Sequence, residues 1–355
     1  MSSDSPTVTV IIVTHNGRHY LEPCLTSVES QLEAGDELIV VDNASNDGGP
    51  DLLRVRFAWV ILIENAENFG FAAACNQGAT QARGDVLIFL NQDTRVKPAW
   101  RRALVRGLHE GNATGLATSK ILLMSRPDRI QLCGQDVHFT GLVFSRGFGS
   151  LAGSMEVPGE VSAVAGASFA IRRDLWQALD GFDETFFMYY EETDLSWRAR
   201  LRGYGSRHIP GSVVHHDYIP SQPNLSRFHY TARNRHLMII KNWRVGTLIL
   251  LLPSLALAEA IDWLQALAMG GEGLWAKARA NGWLLSHPGA IREQRAAVQA
   301  GRMVSDATIL AERVYRLTPV EMSLGPVGTA LVAVCNALFE INHRIALTLC
   351  TWLGW

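Results

Sequence analysis

The first 95 or so residues alternate between continuous apolar runs and stretches with helical spacing. Residues 8–13 form an uninterrupted, β-branched run, which is typical of a strand covered on both faces of a parallel sheet. A helical pattern follows and ends at Gly35-Asp36, before a second buried run at 38–41. Further strands are predicted at 59–63 and 86–90, with a helix at 72–82 between them. This alternation predicts an α/β sheet of the nucleotide-binding type.

Polar side chains directly follow three of these strands. They are Thr14 and Asn16 after the first, Asp42, Asn43, Ser45 and Asp47 after the second, and Asn91, Gln92 and Asp93 after the fourth. In open α/β sheets, ligands bind beyond the carboxyl ends of the strands. Asp, Asn and Ser are also ordinary loop and N-cap residues, but three such clusters at one sheet edge favour a binding crevice.

The next part of the chain adds strands and a second polar segment. The pattern of residues 114–172 predicts short extended segments with glycines, which are consistent with strands that extend the sheet. An aromatic and acidic segment at 183–194 leads into a helical stretch at 195–202, with Gly203 as its stop. A short strand is then expected before His215-His216-Asp217.

The composition fits one large domain with an appendage, or two domains. With 355 residues, 48% of them hydrophobic and 19% charged, the chain has ample material for a core. The 32 basic and 34 acidic residues leave a net charge of −2, so no basic field favours nucleic acid as a partner. Five cysteines without a CxxC pair argue against a disulfide framework or a zinc site. The first residues lack the pattern of a secretory signal, and we therefore expect a cytoplasmic location.

The clusters restrict the chemistry of the crevice. The chain has no GxxxxGK[ST] sequence, so a phosphate loop of the Walker type is excluded. An acidic group holds a diphosphate only when a cation stands between them, and Asp93 at a strand end suits that role.

Several segments resemble family 2 glycosyltransferases. They are VIIVTHN at 10–16, VVDNASND at 40–47, NFGF at 68–71 and LNQD at 90–93. The later segments resemble the acceptor-side half of bacterial rhamnosyltransferase-like members, and they are GASF at 166–169, GFDE at 181–184 and YEETDLSWR at 190–198. The resemblance extends from about residue 8 to 217. It implies a GT-A fold with a Rossmann-like mixed sheet, a nucleotide-diphosphate-sugar donor, Mg²⁺ or Mn²⁺, and inversion at the anomeric carbon.

The resemblance also implies a donor site. Nucleotide-binding positions fall on Thr14, Asn16, Asp42, Ser45, Asn68, Gly70, Asn76, Asn91 and Gln92. Asp93 matches the last residue of the family's Asp-x-Asp motif and becomes a metal ligand, whereas the first position is Asn91, an amide. His216 matches a histidine that completes the metal site, with His215 as the competing choice.

In the segments that resemble the acceptor-side half, the resemblance also implies a general base. Glu192 matches the base, with Glu191 and Asp194 as alternatives, although acidic residues in a first helical turn also simply complement the helix dipole. Acceptor-binding positions are expected at Gly166, Ala167, Tyr190, Trp197 and Arg198. The aromatic residues could equally be core, and Arg198 could bind an anion or pair with Glu191 or Asp194.

The tail, residues 227–355, reads as helical. Arg233, Arg235, Lys241 and Arg244 precede an uncharged stretch at 245–258, and a second such stretch lies at 322–339. Both are shorter than the ~20 apolar residues of a spanning helix, so an interfacial or re-entrant helix is favoured. Basic residues beside apolar helices, with Trp352 and Trp355 at the end, fit an anionic lipid surface. A bundle packed on the catalytic domain or on a second subunit is the alternative.

These expectations combine into one hypothesis. Residues 1–226 form a GT-A catalytic domain, with a nucleotide-binding half at 1–95 and an acceptor half at 96–226, and residues 227–355 form a helical extension. The enzyme moves a sugar, such as a rhamnose-like hexose, from a UDP- or dTDP-linked donor to a hydroxyl of a cell-surface glycan or lipid-linked acceptor, at the inner face of the cell membrane. The alternatives are a non-catalytic membrane-associated scaffold and a sugar-phosphate nucleotidylyltransferase. Whether the chain forms a homo-oligomer is left open.

Overall fold

The structure is a computed structural model that describes residues 6–110, 113–218, 224–318 and 325–355. The chain divides into two compact units. The first unit comprises Met1–Gln135, Ser145–Ala199 and Tyr204–Ile219, and the second comprises Asp136–Phe144, Arg200–Gly203 and Pro220–Trp355.

The first unit contains the strands and the first helices. Its strands are β1 (Val8–Thr14), β2 (Glu37–Asp42), β3 (Ile61–Glu64), β4 (Val86–Asn91), β5 (Thr94–Val96), β6 (Thr114–Leu123), β7 (Arg126–Leu132), β10 (Gly159–Val161), β11 (Ser168–Arg172) and β12 (Gly205–His216). The two remaining strands, β8 (Gln135–Val137) and β9 (Val143–Ser145), form a hairpin at the point where the two units meet in sequence. Its helices are α1 (Arg18–Glu29), α2 (Gly49–Arg56), α3 (Phe71–Gln81), α4 (Trp100–His109), α5 (Arg173–Ala178) and α6 (Glu191–Leu201).

A ten-stranded mixed sheet organises the first unit. Its order is β10-β12-β6-β11-β4-β1-β2-β3, with β5 paired to β12 and β7 to β6. Strand β1 is parallel to both β2 and β4, whereas β11 runs antiparallel between β4 and β6. The predicted α/β class with a mixed sheet is therefore confirmed.

The apolar run of β1 is buried on both faces of the sheet. Val10 and Ile12 pack into a core with α1 and α4, while Ile11 packs into a second core with α3 and α6. Because successive strand residues point to opposite faces, helices on both sides require apolar residues at every position. This explains why the strand shows a continuous run instead of an alternating pattern.

Strand β12 is longer than the short strand that the sequence predicts. It runs for 12 residues and pairs with β6 in parallel, with an irregularity between Ile209 and Val213. Its last residues also pair with β5, so that His216 lies opposite Thr94 and His215 opposite Arg95. The extra length carries the histidine pair to the segment that follows β4.

The second unit is mainly helical. Its helices are α7 (Leu225–Asn242), α8 (Val245–Ala268), α9 (Gly270–Ser286), α10 (Pro288–Ala300), α11 (Asp306–Glu312) and α12 (Pro326–Leu353). Helices α8 and α12 are long and apolar enough to cross a membrane, and only 28% and 22% of their most apolar segments are buried within the structure. Both are longer than the uncharged stretches predicted from the sequence, because α8 continues through Glu259 and Asp262 and α12 through Glu340. The start of the second predicted stretch, 322–324, lies outside the described residues.

A buried ionic cluster explains how α8 accommodates its charges. Arg235 lies 2.8 Å from Asp262 and 3.2 Å from Glu259, and Lys277 lies 2.7 Å from Glu259. The two cations are almost fully buried. The expectation that the basic residues before α8 face a lipid surface is therefore corrected for most of them, since Arg233, Arg235 and Lys241 are buried and only Arg244 is exposed.

All five cysteines are buried and free, namely Cys24, Cys75, Cys133, Cys335 and Cys350. Burial raises the pKa of the Cys24 and Cys133 thiols to about 12.

Candidate active site

The parallel register brings the predicted strand-end clusters together. Thr14 at the end of β1 pairs with Asp42 at the end of β2, and Val13 pairs with Asn91 at the end of β4. The polar residues that follow these strands therefore share one edge of the sheet.

Thr14 and Gln92 join the first and fourth strand ends. The Thr14 hydroxyl donates a hydrogen bond to Gln92 Oε1. The Gln92 side chain then lies against Gly17, where an added Cβ would come within 1.9 Å of Oε1. A side chain at position 17 would therefore displace Gln92 from this place, where its hydrogen bond connects the loop after β1 to the loop after β4.

Asp42 has an unsatisfied carboxylate oxygen at this edge of the sheet. Its Oδ2 accepts a hydrogen bond from the Ser45 amide at 2.9 Å, and Ser45 Oγ accepts one from the Asn16 amide at 2.9 Å. Its Oδ1 is buried and has no hydrogen-bond partner among the described residues. Since a buried acceptor without a partner is unfavourable, this oxygen is suited to a ligand that donates an N–H or O–H.

Asn43 holds the loop that contains Asn68 and Gly70. Its Nδ2 donates to Asn68 Oδ1 at 2.8 Å and to the Gly70 carbonyl at 3.1 Å. Asn76, in contrast, uses its amide on the segment before α6, because it donates to the Phe182 carbonyl and accepts from the Phe182 amide, both at 2.9 Å. Asn76 therefore positions that segment.

The aromatic segment before α6 has a strained backbone. Phe187, Tyr189 and Tyr190 have φ angles of 62°, 67° and 74°, which cost roughly 1–3 kcal/mol each for residues with a side chain. The Phe187 carbonyl accepts hydrogen bonds from the amides of Phe71 and Ala72 at the start of α3. Strained backbone of this kind occurs most often at functional sites, and this segment directly precedes Glu191.

The side chains of Asp93 and His216 face each other at this sheet edge. Asp93 Oδ1 lies 3.1 Å from His216 Nε2, but it is buried and makes no hydrogen bond within the described part of the chain. His216 Nδ1 lies 2.7 Å from Gln131 Oε1, and because that oxygen can only accept, Nδ1 carries the proton. A ring with its single proton on Nδ1 has a lone pair on Nε2, and a cation between this nitrogen and the carboxylate oxygen would be bound by both atoms. His216, and not His215, is the histidine at Asp93.

The two residues do not form a complete metal cage. In residues 6–110, 113–218, 224–318 and 325–355, no group of three or more His, Cys, Asp or Glu side chains is arranged to hold a metal ion. Mg²⁺ is commonly bound through one or two protein carboxylates together with substrate phosphates and water. The Asp93–His216 pair fits such a shared site, in which ligand oxygens complete the coordination.

Glu191 and Glu192 form a buried carboxyl pair at the start of α6. Glu192 Oε1 accepts a hydrogen bond from Gln135 Nε2 at 2.8 Å, and a Cβ at Gly166 would come within 3.2 Å of the same oxygen. Burial raises the pKa of both carboxyls, and the charge of Glu192 raises that of Glu191 further. A carboxylate with a raised pKa is a stronger base and a better proton acceptor near neutral pH.

Asp194 and Arg198 are engaged in the fold. Arg198 Nε donates to Asp194 Oδ2 at 2.7 Å, and its other nitrogens donate to the carbonyls of Leu179 and Gly181. Both side chains are buried, as is Trp197, whose side chain is completely enclosed. We therefore keep none of these three as a candidate for contact with substrate. Of the remaining acceptor positions, Gly166 and Ala167 lie beside Glu192 and the end of β4, where the Ala167 carbonyl accepts from the Asn91 amide.

The structure adds residues that sequence patterns did not reveal. Gln131 orients His216, Gln135 contacts Glu192, and Tyr20 donates to Asp217 Oδ2 at 3.0 Å. Gln131 is 85 residues away from His216 along the chain. Of the residues in these contacts, the sequence indicated only Asp217, because it directly follows the metal-binding candidate His216.

Comparison with known proteins places the first part of the chain in a family. Residues 9–177 match the family model described as Glycosyl transferase family 2. This part of the chain is therefore a glycosyltransferase family 2 domain, and the mixed sheet of the first unit has the GT-A fold.

Individual relatives are similar over part of the chain. An uncharacterized protein, y4gI of Sinorhizobium fredii, is 28% identical over 235 residues, which is 60% of this chain and 24% of the relative. The N-acetylglucosaminyl-diphospho-decaprenol L-rhamnosyltransferase of Mycobacterium tuberculosis is 27% identical over 230 residues, which is 58% of this chain and 75% of the relative. The chain thus spans about a quarter of the first relative and three quarters of the second.

Solved structures share the fold. GalNAc-T7 with UDP, GalNAc and Mn²⁺ superposes with a TM-score of 0.54 at 21% identity, covering 66% of this chain and 48% of that chain. S. aureus TarS 1–349 in complex with UDP-GlcNAc superposes with a TM-score of 0.51 at 15% identity, covering 96% of this chain and 90% of that chain. At these identities the likeness concerns the fold alone.

Proposed function

We propose that the protein is an inverting, metal-dependent glycosyltransferase that uses a nucleotide-diphosphate sugar. The observation that carries the proposal is the Asp93–His216 pair, in which a carboxylate oxygen and an imidazole nitrogen lie 3.1 Å apart at the same sheet edge as Asp42. The family match and the nucleotide and Mn²⁺ in similar folds support it.

The donor site uses the strand ends in distinct roles. Asp42 Oδ1 accepts a hydrogen bond from the nucleoside, and the loop held by Asn43 shapes the pocket. Asp93 and His216 hold the divalent cation, Mg²⁺ or Mn²⁺. When bound, the cation neutralises the charge that develops on the departing diphosphate.

Glu192 acts as the general base. Its carboxylate takes the proton of the acceptor hydroxyl as that oxygen forms a bond to the anomeric carbon and the bond to the diphosphate breaks. Attack from the side opposite the leaving group inverts the anomeric carbon. Gln135 holds Oε1 of the base, and the neighbouring Glu191, whose pKa is raised further, is the alternative proton acceptor.

The proposed substrates are a UDP- or dTDP-linked sugar and a lipid-linked or cell-surface glycan acceptor. The name of the rhamnosyltransferase relative supports a rhamnose-like sugar and a lipid-linked acceptor, and the UDP in two similar folds supports a UDP-linked donor. The two long apolar helices, α8 and α12, support association with a membrane, and we place the reaction at its inner face.

Thermal unfolding with UDP, dTDP and GDP, each with and without Mn²⁺, tests the donor site. A ligand at about 100 times its Kd stabilises the folded state by about 2.7 kcal/mol. We expect a Mn²⁺-dependent rise in Tm for one nucleotide, which Asp93→Asn and His216→Ala abolish and which the matched variant His215→Ala retains. If no nucleotide raises the Tm, or if the rise survives Asp93→Asn, the donor site is wrong and the scaffold alternative gains support.

Sugar transfer by the Glu192→Gln variant tests the base. Glutamine preserves the size of the side chain but cannot accept the proton, so turnover should fall by at least about a hundredfold while the nucleotide-dependent rise in Tm is retained. Glu191→Gln is the matched variant at the adjacent position. Normal turnover in Glu192→Gln together with a loss in Glu191→Gln would move the base to Glu191.

A further inference from the structure

The second unit contains a cavity lined by arginines. It has a volume of about 530 Å³ and lies where α8 begins and α10 passes. Arg292, Arg295 and Gln299 project from one face of α10, at positions i, i+3 and i+7. The rest of the lining is Ala296, Arg244, Val245 and Arg302. We refer to this cavity as the arginine pocket.

The pocket has an excess of positive charge. Arg302 pairs with Asp306, whose other carboxylate oxygen accepts the Arg244 amide at 2.9 Å. Arg295 donates to the Trp243 carbonyl at 2.6 Å. Within the described residues, the side chains of Arg244 and Arg292 make neither a hydrogen bond nor an ion pair. Four guanidinium groups thus line the cavity, and the Asp306 carboxylate pairs with one of them, that of Arg302.

This chemistry fits a phosphate group. A guanidinium group presents its N–H donors in a planar fork that matches phosphate oxygens, and it stays charged under all physiological conditions. The first turn of α8 also lies beside the pocket, and its N-terminal end carries the partial positive charge of the helix dipole, which the Asp306 carboxylate partly offsets by accepting the Arg244 amide. The arginines supply the main attraction and the helix end adds to it.

The surroundings of the pocket favour a lipid as the carrier of that phosphate. Val245 lines the pocket, and Ile249 and Leu252 continue from it along one exposed stripe of α8, at i, i+4 and i+7. Trp355 packs against Gly246 at the start of the same helix. A cationic site that borders an exposed apolar stripe is complementary to a molecule with a phosphate head and a hydrocarbon tail.

We propose that the arginine pocket binds the phosphate or diphosphate group of a lipid, with the hydrocarbon tail along the exposed stripe of α8. The site is separate in its residues from the donor site and does not depend on the proposed transfer reaction.

Binding of the full chain to vesicles tests this proposal. Vesicles of phosphatidylcholine alone are compared with vesicles that also contain phosphatidylglycerol, in the presence of EDTA so that no cation occupies the Asp93–His216 pair. The test variant is Arg244→Gln with Arg292→Gln, since neither side chain makes a bond that the fold requires. The matched control is Arg279→Gln, which removes an exposed arginine of α9 outside the pocket.

We expect tighter binding to the phosphatidylglycerol vesicles, weakened at least about tenfold in the double variant and unchanged in Arg279→Gln. Tenfold corresponds to the loss of one hydrogen bond between charged groups. Far-UV circular dichroism and Tm verify that the double variant is folded. Equal binding to both kinds of vesicle, or an equal loss in the double variant and the control, would overturn the proposal.

Inorganic pyrophosphate distinguishes a lipid from a soluble ligand. Pyrophosphate binding that requires Arg244 and Arg292, without any preference for phosphatidylglycerol vesicles, would assign the pocket to a soluble anion and overturn the lipid assignment. Asp93→Asn should leave vesicle binding intact, and the double variant should retain the nucleotide-dependent rise in Tm. Failure of this proposal and failure of the proposed transferase activity are therefore separately detectable.

Discussion

Replacing Gln135 by methionine should raise the pKa of the Glu192 carboxyl and shift the pH at which sugar transfer begins. Gln135 Nε2 donates to Glu192 Oε1 at 2.8 Å, and Gln135 Oε1 accepts from the Thr193 hydroxyl at 2.7 Å. Methionine has a similar length but no donor. Glu192 is buried, so water does not readily replace the lost hydrogen bond.

The size of the shift follows from the energy of that hydrogen bond. A hydrogen bond to a charged group contributes about 1.5–3 kcal/mol, and one pKa unit corresponds to about 1.4 kcal/mol. The bond favours the ionised carboxylate and opposes the effect of burial, which already raises the pKa. Its loss should therefore raise the pKa of Glu192 by roughly one to two further units.

The assay is the pH dependence of kcat/KM for sugar transfer. Because the base must be ionised, the acid limb of the profile should move to higher pH by the same amount in Gln135→Met. Thr193→Val is the matched control, since it removes the other partner of Gln135 and leaves the donor to Glu192 in place, and we expect a smaller shift. An acid limb that stays in place while kcat/KM falls equally at all pH values would mean that Gln135 is only structural. A shift to lower pH would contradict the hydrogen-bond argument itself.

Three further variants test the buried groups of the first unit. Glu191→Gln should stabilise the fold increasingly as the pH rises above 4.5. The raised pKa of Glu191 means that the native protein loses stability once the unfolded chain ionises this carboxyl, and glutamine removes that loss. Urea unfolding at about pH 5 and about pH 8 measures the difference in stability, and equal differences at the two pH values would contradict the prediction. Gly70→Ala should lower the free energy of unfolding by at least about 2 kcal/mol, because φ of Gly70 is +88° and the added Cβ would lie 2.6 Å from the Phe187 carbonyl oxygen. An unchanged urea midpoint would refute this. Arg198→Met should lower the free energy of unfolding by about 3–5 kcal/mol in the same assay, because the Asp194 carboxylate stays buried without its partner. A loss below about 1 kcal/mol would show that another group or a proton neutralises the Asp194 charge.

The central sheet and the strand-end residues of the site are predictable from the sequence because their determinants are local. The apolar run at 8–13 is continuous because helices cover both faces of β1. The parallel register then places Thr14 beside Asp42 without further information. Asp93 follows β4 directly, so its position at the same edge also needs only the strand boundary.

The contacts that orient the functional groups are not predictable in this way. Gln131 and Gln135 lie among short strands without a clear period, and their partners are 85 and 57 residues away. The same limit applies to the second unit. Arg235 looks like a surface charge beside an apolar helix until the fold brings it to Asp262, 27 residues further along.

The reaction of the five buried cysteines with a thiol reagent measures local opening of the structure. A thiol reagent reacts with the thiolate, and neither unit offers it an exposed sulfur in the part of the chain that the structure describes. Cys24, Cys75 and Cys133 belong to the first unit, and Cys335 and Cys350 belong to the second. The order in which the five thiols are labelled, followed by peptide mass spectrometry, therefore gives the opening rates of the two units in one native sample.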